Sequence, residues 1–290
     1  MPLCPGGLLS RENNRVSALA DWLREATVRL GAVSDTPRLD AELLAAHALG
    51  MSREEMILAM PRLAAPEPAE ALLARRLAHE PIAYITGTRD FWTLSLKVAP
   101  GVLVPRPDSE TLIEAAIAHF EGGRGPRRVL DLGTGSGALL LAALDVWREA
   151  SGIGIDASAV AVEIARENAQ SCGMAARAEI REGDWAEGID ERFDLILCNP
   201  PYIRVCAMLP REVRDHEPAS ALFAGEEGLD DYRRLAGQIG TRLTPGGAAI
   251  FEIGFDQEEA AGALFRDAGF QVGARRDLGG RARALVVTSA

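Results

Sequence analysis

The stretch LILCNPPYI, residues 195–203, runs from apolar residues into an asparagine, two prolines and a tyrosine. One proline would be enough to stop a strand. Pro200 holds Asn199 to extended backbone, and the two prolines fix φ on both sides of the Pro200 carbonyl. The Asn199 side-chain oxygen and that carbonyl therefore form a stiff pair of acceptors, suited to the two N–H bonds of one planar nitrogen. Pro201 completes the turn, and the ring of Tyr202 offers a flat wall. A charged amine would need a carboxylate, so the pair suits a neutral amide or an exocyclic amine. The same four residues also fit a plain strand-ending turn, in which Asn and Pro are ordinary. What lies upstream decides between the two.

The segment VLDLGTGSG places Gly133, Thr134, Gly135, Ser136 and Gly137 directly after an apolar run. Glycines there permit a tight turn and a close approach of backbone to a ligand, although a simple strand–helix turn uses them too. The spelling is GxGxG, without the GxGxxG of a dinucleotide site or the GxxxxGK[ST] of a P-loop. About 20 residues on, GIGIDA ends the next strand at Asp156, where an acid can take both ribose hydroxyls; alone it reads more readily as a helix N-cap. A third strand ends at Asp184 and Trp185, an acceptor for an adenine amino group and a flat face for the ring; Trp185 alone reads as core. In series, these strand ends make a nucleoside pocket at the carboxyl edge of an open sheet. Asp131, just before the glycines, disfavours a phosphate. A cationic, phosphate-free nucleoside, S-adenosylmethionine, fits better.

The elements that must position these residues follow from periodicity. Residues 15–80 read as helical: Val16, Leu19, Ala20, Leu23 and Leu30 keep helical spacing, with Asp21, Arg24 and Arg29 between them. LDAELLAAHALG ends at Gly50, a plausible C′ residue; Ser52 and Glu55 spell a capping box; PEPAEALLARRLAHE keeps its prolines at its start. Next, Leu94, Leu96 and Val98 alternate before a Pro-Gly turn and Val102 to Val104, which predicts a β-hairpin. Asp108 is placed to cap a helix through Phe120. From there strands and helices alternate to the end of the chain, which predicts a mostly parallel sheet covered on both faces.

Taken in order, DLGTGSG, GIDAS, GDW and NPPYI resemble a class I S-adenosylmethionine-dependent methyltransferase. The segments PIAYITGTRDFWTLSLKVAPGVLVPRPDSE, HEPASALFAGEEGLDDYRRL, LTPGGAAIFEIGFDQ and DLGGRARALVV narrow this to the HemK/PrmC family of protein-(glutamine-N5) methyltransferases, over nearly the whole chain. The resemblance implies an α/β fold, Rossmann-like and doubly wound, with a small N-terminal helical bundle over 1–81 that docks the substrate, a β-hairpin linker over 82–107, and a cofactor-binding domain over 108–290. It implies S-adenosyl-L-methionine as cofactor, S-adenosyl-L-homocysteine as product, and the glutamine of the Gly-Gly-Gln motif of class I peptide chain release factors as acceptor. Asn199 then serves both acceptor and cofactor. Arg106 and Phe91 are expected at the site edge, with Phe91 also reading as hairpin core. Glu217 is expected to position the loop after Tyr202. Glu252, an acid inside an apolar strand, calls for a partner that the sequence does not name.

Composition narrows the alternatives. The 290 residues carry a formal net charge of -11, which opposes a large nucleic-acid footprint. A nucleic-acid methyltransferase would use the same tetrapeptide on an adenine or guanine amine, but needs a basic path and a flipped base. Cys4, Cys172, Cys198 and Cys206 have no CxxC spacing, and His47, His79, His119 and His216 form no HxxxH pattern, so neither disulfides nor a metal are expected. The N-terminus MPLCPGGLLSRENN has no signal-peptide pattern and no apolar run would span a bilayer, so a cytoplasmic monomer without nucleic-acid or membrane partners is expected.

Overall fold

The computed structural model describes residues 18–289; the expectations for Val16, Cys4 and the N-terminal segment fall outside them. The described chain forms two compact units, one holding residues 18–87 and the short segment Arg211–His216, the other holding Thr88–Pro210 and the chain from Glu217 onward.

The first unit is helical: α1 (Ala18–Leu30), α2 (Pro37–Leu49), α3 (Arg53–Ala59), α4 (Pro68–Leu77) and α5 (Ile82–Thr86). Leu19, Leu23 and Leu30 of α1 lie in one cluster with Leu44 of α2, Met56 of α3 and Leu73 of α4, as the period predicts. Gly50 ends α2 at φ 67°, which favours glycine, and Ser52 and Glu55 close a reciprocal capping box. Arg76 is buried and pairs with Asp40 at 2.8 Å and with Glu212 at 2.8 Å. That second bond ties the segment 211–216, far along the sequence, into this unit.

The second unit opens with β1 (Thr88–Phe91) and β2 (Leu94–Lys97), an antiparallel pair closed by Trp92 and Thr93. The sequence expectation is corrected here: β2 pairs backward with 88–91, not forward with Val102–Val104. Trp92 adopts φ 57°, the left-handed conformation a two-residue hairpin turn needs. Val102 is instead buried against Ala161 and Ile164. Asp108 is a second correction. It lies in a 3₁₀ turn, Pro107–Ser109, and pairs with Arg283 at 3.0 Å, while α6 (Glu110–His119) begins without a side-chain cap.

The rest alternates: β3 (Arg128–Leu132), α7 (Ala138–Val146), β4 (Ser151–Asp156), α8 (Ala159–Ser171), β5 (Ala178–Glu182), β6 (Phe193–Cys198), α9 (the segment Arg211–His216), α10 (Asp230–Gln238), β7 (Leu243–Glu252), α11 (Glu258–Asp267), β8 (Phe270–Arg276) and β9 (Ala282–Ser289). The seven-stranded sheet has the order β5-β4-β3-β6-β7-β9-β8, parallel from β5 to β7 and antiparallel at β9. In β6, Leu195 and Leu197 join a core with α6, α7 and α8, while Ile196 and Cys198 join another with α10 and α11. Both faces are covered, which is why LILC reads as an unbroken apolar run.

Register positions the site. Leu132 pairs with Ile155 on one side and Cys198 on the other, and Cys198 pairs with Phe251. The next residues, Gly133, Asp156, Asn199 and Glu252, therefore leave neighbouring strands at the same edge. Strand order reverses at β3, where such sheets bind ligands.

Candidate active site

A cavity of about 470 Å³ opens at that edge, lined wholly by residues of the α/β unit. Gly133, Gly135 and Gly137 have φ of 70°, 57° and 85°, so the loop needs glycine at each. A Cβ on Gly133 would sit 3.2 Å from the Trp185 ring, so the missing side chain also makes room for that ring. The Thr134 N–H donates to the Ile155 carbonyl at 2.9 Å, stitching the loop to β4.

Beneath the loop, Asp131 is fully buried. Its Oδ2 accepts from the Thr134 hydroxyl at 2.6 Å and the Leu140 N–H at 3.2 Å, whereas Oδ1 has no hydrogen-bond partner among the described residues. Burial pushes its pKa up to about 7, against those two bonds and helped by the nearby Asp156 charge.

Asp156 accepts from the Gly135 N–H at 2.8 Å and the Ser158 N–H at 2.9 Å. Burial raises its pKa and these amides oppose the rise. The N-cap of α8 is Ser158, so the alternative reading of Asp156 as that cap gives way to a carboxylate held between the glycine loop and its own turn. Asp184 lines the cavity and pairs with Arg234 at 2.7 Å. Trp185, at φ 50°, also lines it, and its side chain hydrogen-bonds to Asp231. Asp231 and Arg234 were not expected; they lie on α10, whose sequence shows only an amphipathic helix.

The end of the cavity beside β6 is built from side chains. Asn199 and Pro201 line it; Pro200 is buried, and Tyr202 is turned toward Glu252. The Asn199 Nδ2 donates to the Ser109 Oγ at 3.4 Å, the Ser109 hydroxyl donates to Glu252 Oε2 at 2.5 Å, and the Tyr202 hydroxyl donates to Glu252 Oε1 at 3.1 Å. Glu252 thus has the partners the sequence left unnamed. Burial raises its pKa, opposed by Ser109, the Arg283 charge and Tyr202; burial also raises that of Tyr202. The Tyr202 carbonyl accepts from the buried Gln257 Nε2 at 3.0 Å, and a Cβ on Gly228 would overlap that same carbonyl.

Arg106 reaches the cavity wall and donates to the buried Glu217 at 2.5 Å. Phe91 is 2% exposed, belongs to the core cluster and also lines the cavity. Arg106 pairs with Glu217 and Arg234 with Asp184, and the Arg234 charge also reaches Asp231, while Asp156 is held by main-chain N–H groups. Such a lining suits a cationic nucleoside without phosphate and repels a nucleotide. Among the described residues no group of acids, histidines and cysteines is placed to hold a metal, and no helix is long and apolar enough to cross a membrane.

Comparison with known proteins agrees with this geometry. Residues 21–87 match the PrmC N-terminal domain and residues 109–209 the methyltransferase small domain. The release factor glutamine methyltransferase of Rhodospirillum rubrum is 43% identical over 260 residues, covering 87% of this chain and 79% of that protein. That of Bordetella pertussis is 45% identical over 251 residues, covering 84% and 92%. A methyltransferase structure from Pyrococcus furiosus superimposes with a TM-score of 0.53 at 20% identity, over 74% of this chain and 95% of that one, which bears on the fold alone. With its two domains matched and such relatives aligned over most of its length, the chain belongs to the release factor glutamine methyltransferase family.

Proposed function

We propose that this chain transfers a methyl group from S-adenosyl-L-methionine to the side-chain amide nitrogen of the glutamine in the Gly-Gly-Gln motif of a class I peptide chain release factor, acting in the cytoplasm. The observation that carries this reading is the Asn199 amide on the cavity wall, with its nitrogen donating to Ser109, which leaves its oxygen free of that contact.

S-adenosylmethionine supplies, when bound, a methyl group on a cationic sulfur. The residues that would hold it are the glycine loop 133–137, Asp156, Asp184 and Trp185. An amide nitrogen is a poor nucleophile because its lone pair is delocalised into the carbonyl. Asn199 Oδ1 accepts one N–H of the glutamine amide and the Pro200 carbonyl the other, which holds the nitrogen face toward the methyl donor. No strong base is required, since the amide sheds its proton readily once the nitrogen is methylated. Arg106 and Phe91 border the acceptor end, and Tyr202, turned toward Glu252, supports the turn that carries Asn199. The helical unit docks the release factor; the chain's acidic balance suits a partner with a basic tip.

The test is incubation with methyl-labelled S-adenosylmethionine and a purified class I release factor. Label on the Gly-Gly-Gln glutamine, absent with Asn199→Ala, supports the reading; label entering DNA or RNA instead overturns it.

A further inference from the structure

Ser109 is 4% exposed, and Glu252, at the end of β7, is 1% exposed in a place where an apolar side chain would cost less. Two hydroxyl donors and the nearby Arg283 charge favour the ionised form of Glu252 against its burial, and an ionised carboxylate can only accept hydrogen bonds. Both nearby hydroxyls must then spend their single proton on it: Ser109 on Oε2 at 2.5 Å, Tyr202 on Oε1 at 3.1 Å. With its proton committed, the Ser109 oxygen presents only lone pairs to Asn199. The end of the Asn199 side chain facing Ser109 must therefore be the NH₂, and the contact at 3.4 Å runs in that direction. A flipped amide would set Oδ1 against an oxygen with no proton to offer.

We propose that Glu252, acting through Ser109, is a positioning residue that fixes which end of the Asn199 amide faces the cavity, and so keeps an acceptor rather than a donor at the place where the substrate amide binds. This deepens the methyl-transfer reading and rests on it. The relay is directional: carboxylate, hydroxyl, amide, substrate N–H. Register supports it, because Cys198 pairs with Phe251 and so sets Asn199 next to Glu252 at the ends of β6 and β7. Ser109 comes from the turn before α6 and bridges the two.

The experiment measures release-factor methylation by the full chain and by Ser109→Ala, Ser109→Thr, Glu252→Gln, Tyr202→Phe and the double variant Ser109→Ala with Glu252→Gln. Loss of the relay is expected to lower kcat by about 10- to 100-fold in Ser109→Ala and Glu252→Gln, with KM for S-adenosylmethionine and affinity for S-adenosylhomocysteine within about twofold. Ser109→Thr, which keeps a hydroxyl, is expected to recover most of the rate. The double variant should be no slower than the slower single variant, since both changes cut one chain. A second readout does not use activity. The sequence holds four asparagines, so the Asn199 side-chain amide is identified in a ¹⁵N-asparagine-labelled sample as the signal lost on Asn199→Ala. It is expected to shift in Ser109→Ala and in Glu252→Gln.

Full kcat in Ser109→Ala, additive losses in the double variant, or Tyr202→Phe alone reproducing Glu252→Gln would each overturn the relay. An unshifted Asn199 signal in both single variants overturns it whatever the substrate is. A wild-type chain that methylates no release factor, while its Asn199 signal responds as described, counts against the proposed acceptor and leaves the relay standing.

Discussion

The two ends of the cavity are built by different means. The end assigned to the methyl donor is made mostly of backbone: three left-handed glycines, the Thr134 amide on β4, and a carboxylate held by two main-chain N–H groups. The end assigned to the acceptor is made of side chains that orient one another, from Glu252, which also holds Tyr202, through Ser109 to Asn199. Backbone sites tolerate little change of shape but depend weakly on distant residues. Side-chain relays depend on every member. Substitutions at the first end should therefore act on stability and ligand affinity, and those at the second on turnover.

The largest expected effect is at the acceptor end. Asn199→Ala removes a preorganised acceptor and should lower kcat for methyl transfer about 10²- to 10³-fold. Affinity for S-adenosylhomocysteine, measured by calorimetry, should change far less. Equal losses in both would erase the division between the two ends.

That division also marks what the sequence reveals. The glycine loop, Asp156 and the NPPY turn are short, contiguous patterns, legible because each is spelled within a few residues. The relay is not: Ser109 and Glu252 are 143 positions apart and Asn199 and Ser109 are 90 apart, so no local pattern joins them. Glu252 alone shows a trace, as an acid within FEIG, but its partners emerge only once register sets β7 beside β6. The hairpin teaches the same lesson. Alternation in 94–98 marks a strand, yet its partner TRDF has a single buried residue, Phe91, and no alternation to recognise. The helix Arg211–His216 buries none of its residues and shows no apolar stripe, so the Arg76–Glu212 pair that ties it to the helical unit is visible only in three dimensions.

At the donor end the next effect is on stability. Asp131 has a folded-state pKa of about 7 against an ordinary 3.8, because it is buried. Its proton therefore stabilises the folded chain below the unfolded value, and that contribution is lost as pH rises through about 7. Asp131→Asn has no such titration. The stability of the variant relative to the wild type, both ligand-free, should rise by roughly 2–3 kcal/mol between pH 5 and pH 8. A constant difference in melting temperature across that range would show that Asp131 is ionised throughout.

Gly133→Ala tests the backbone itself. A left-handed alanine costs about 1–2 kcal/mol, and its Cβ meets the Trp185 ring at 3.2 Å. Affinity for S-adenosylhomocysteine should fall about tenfold, while kcat at saturating donor stays within about threefold of wild type. A loss confined to kcat would mean that the loop belongs functionally to the acceptor end.

The smallest effect comes from the outer rim of the donor end, where Arg234 pairs with Asp184. Both side chains are about half exposed, at 44% and 50%, so the pair contributes at most about 1 kcal/mol to stability. Its interest lies in competition. If Asp184 accepts from the adenine amino group, Arg234 draws on the same carboxylate, and its positive charge opposes a cationic ligand in a cavity that also holds Asp156 and Asp231. Arg234→Ala should then leave affinity for S-adenosylmethionine unchanged or raise it, by no more than about threefold, with the gain shrinking at high salt. Asp184→Asn should lower affinity instead, because its amide can turn a donor toward another donor. Both shifts can be read from one set of calorimetric titrations at two ionic strengths. Opposite signs for the two variants place Asp184 on the ligand; a loss of similar size in both would mean that the ion pair merely props the wall against which Trp185 rests.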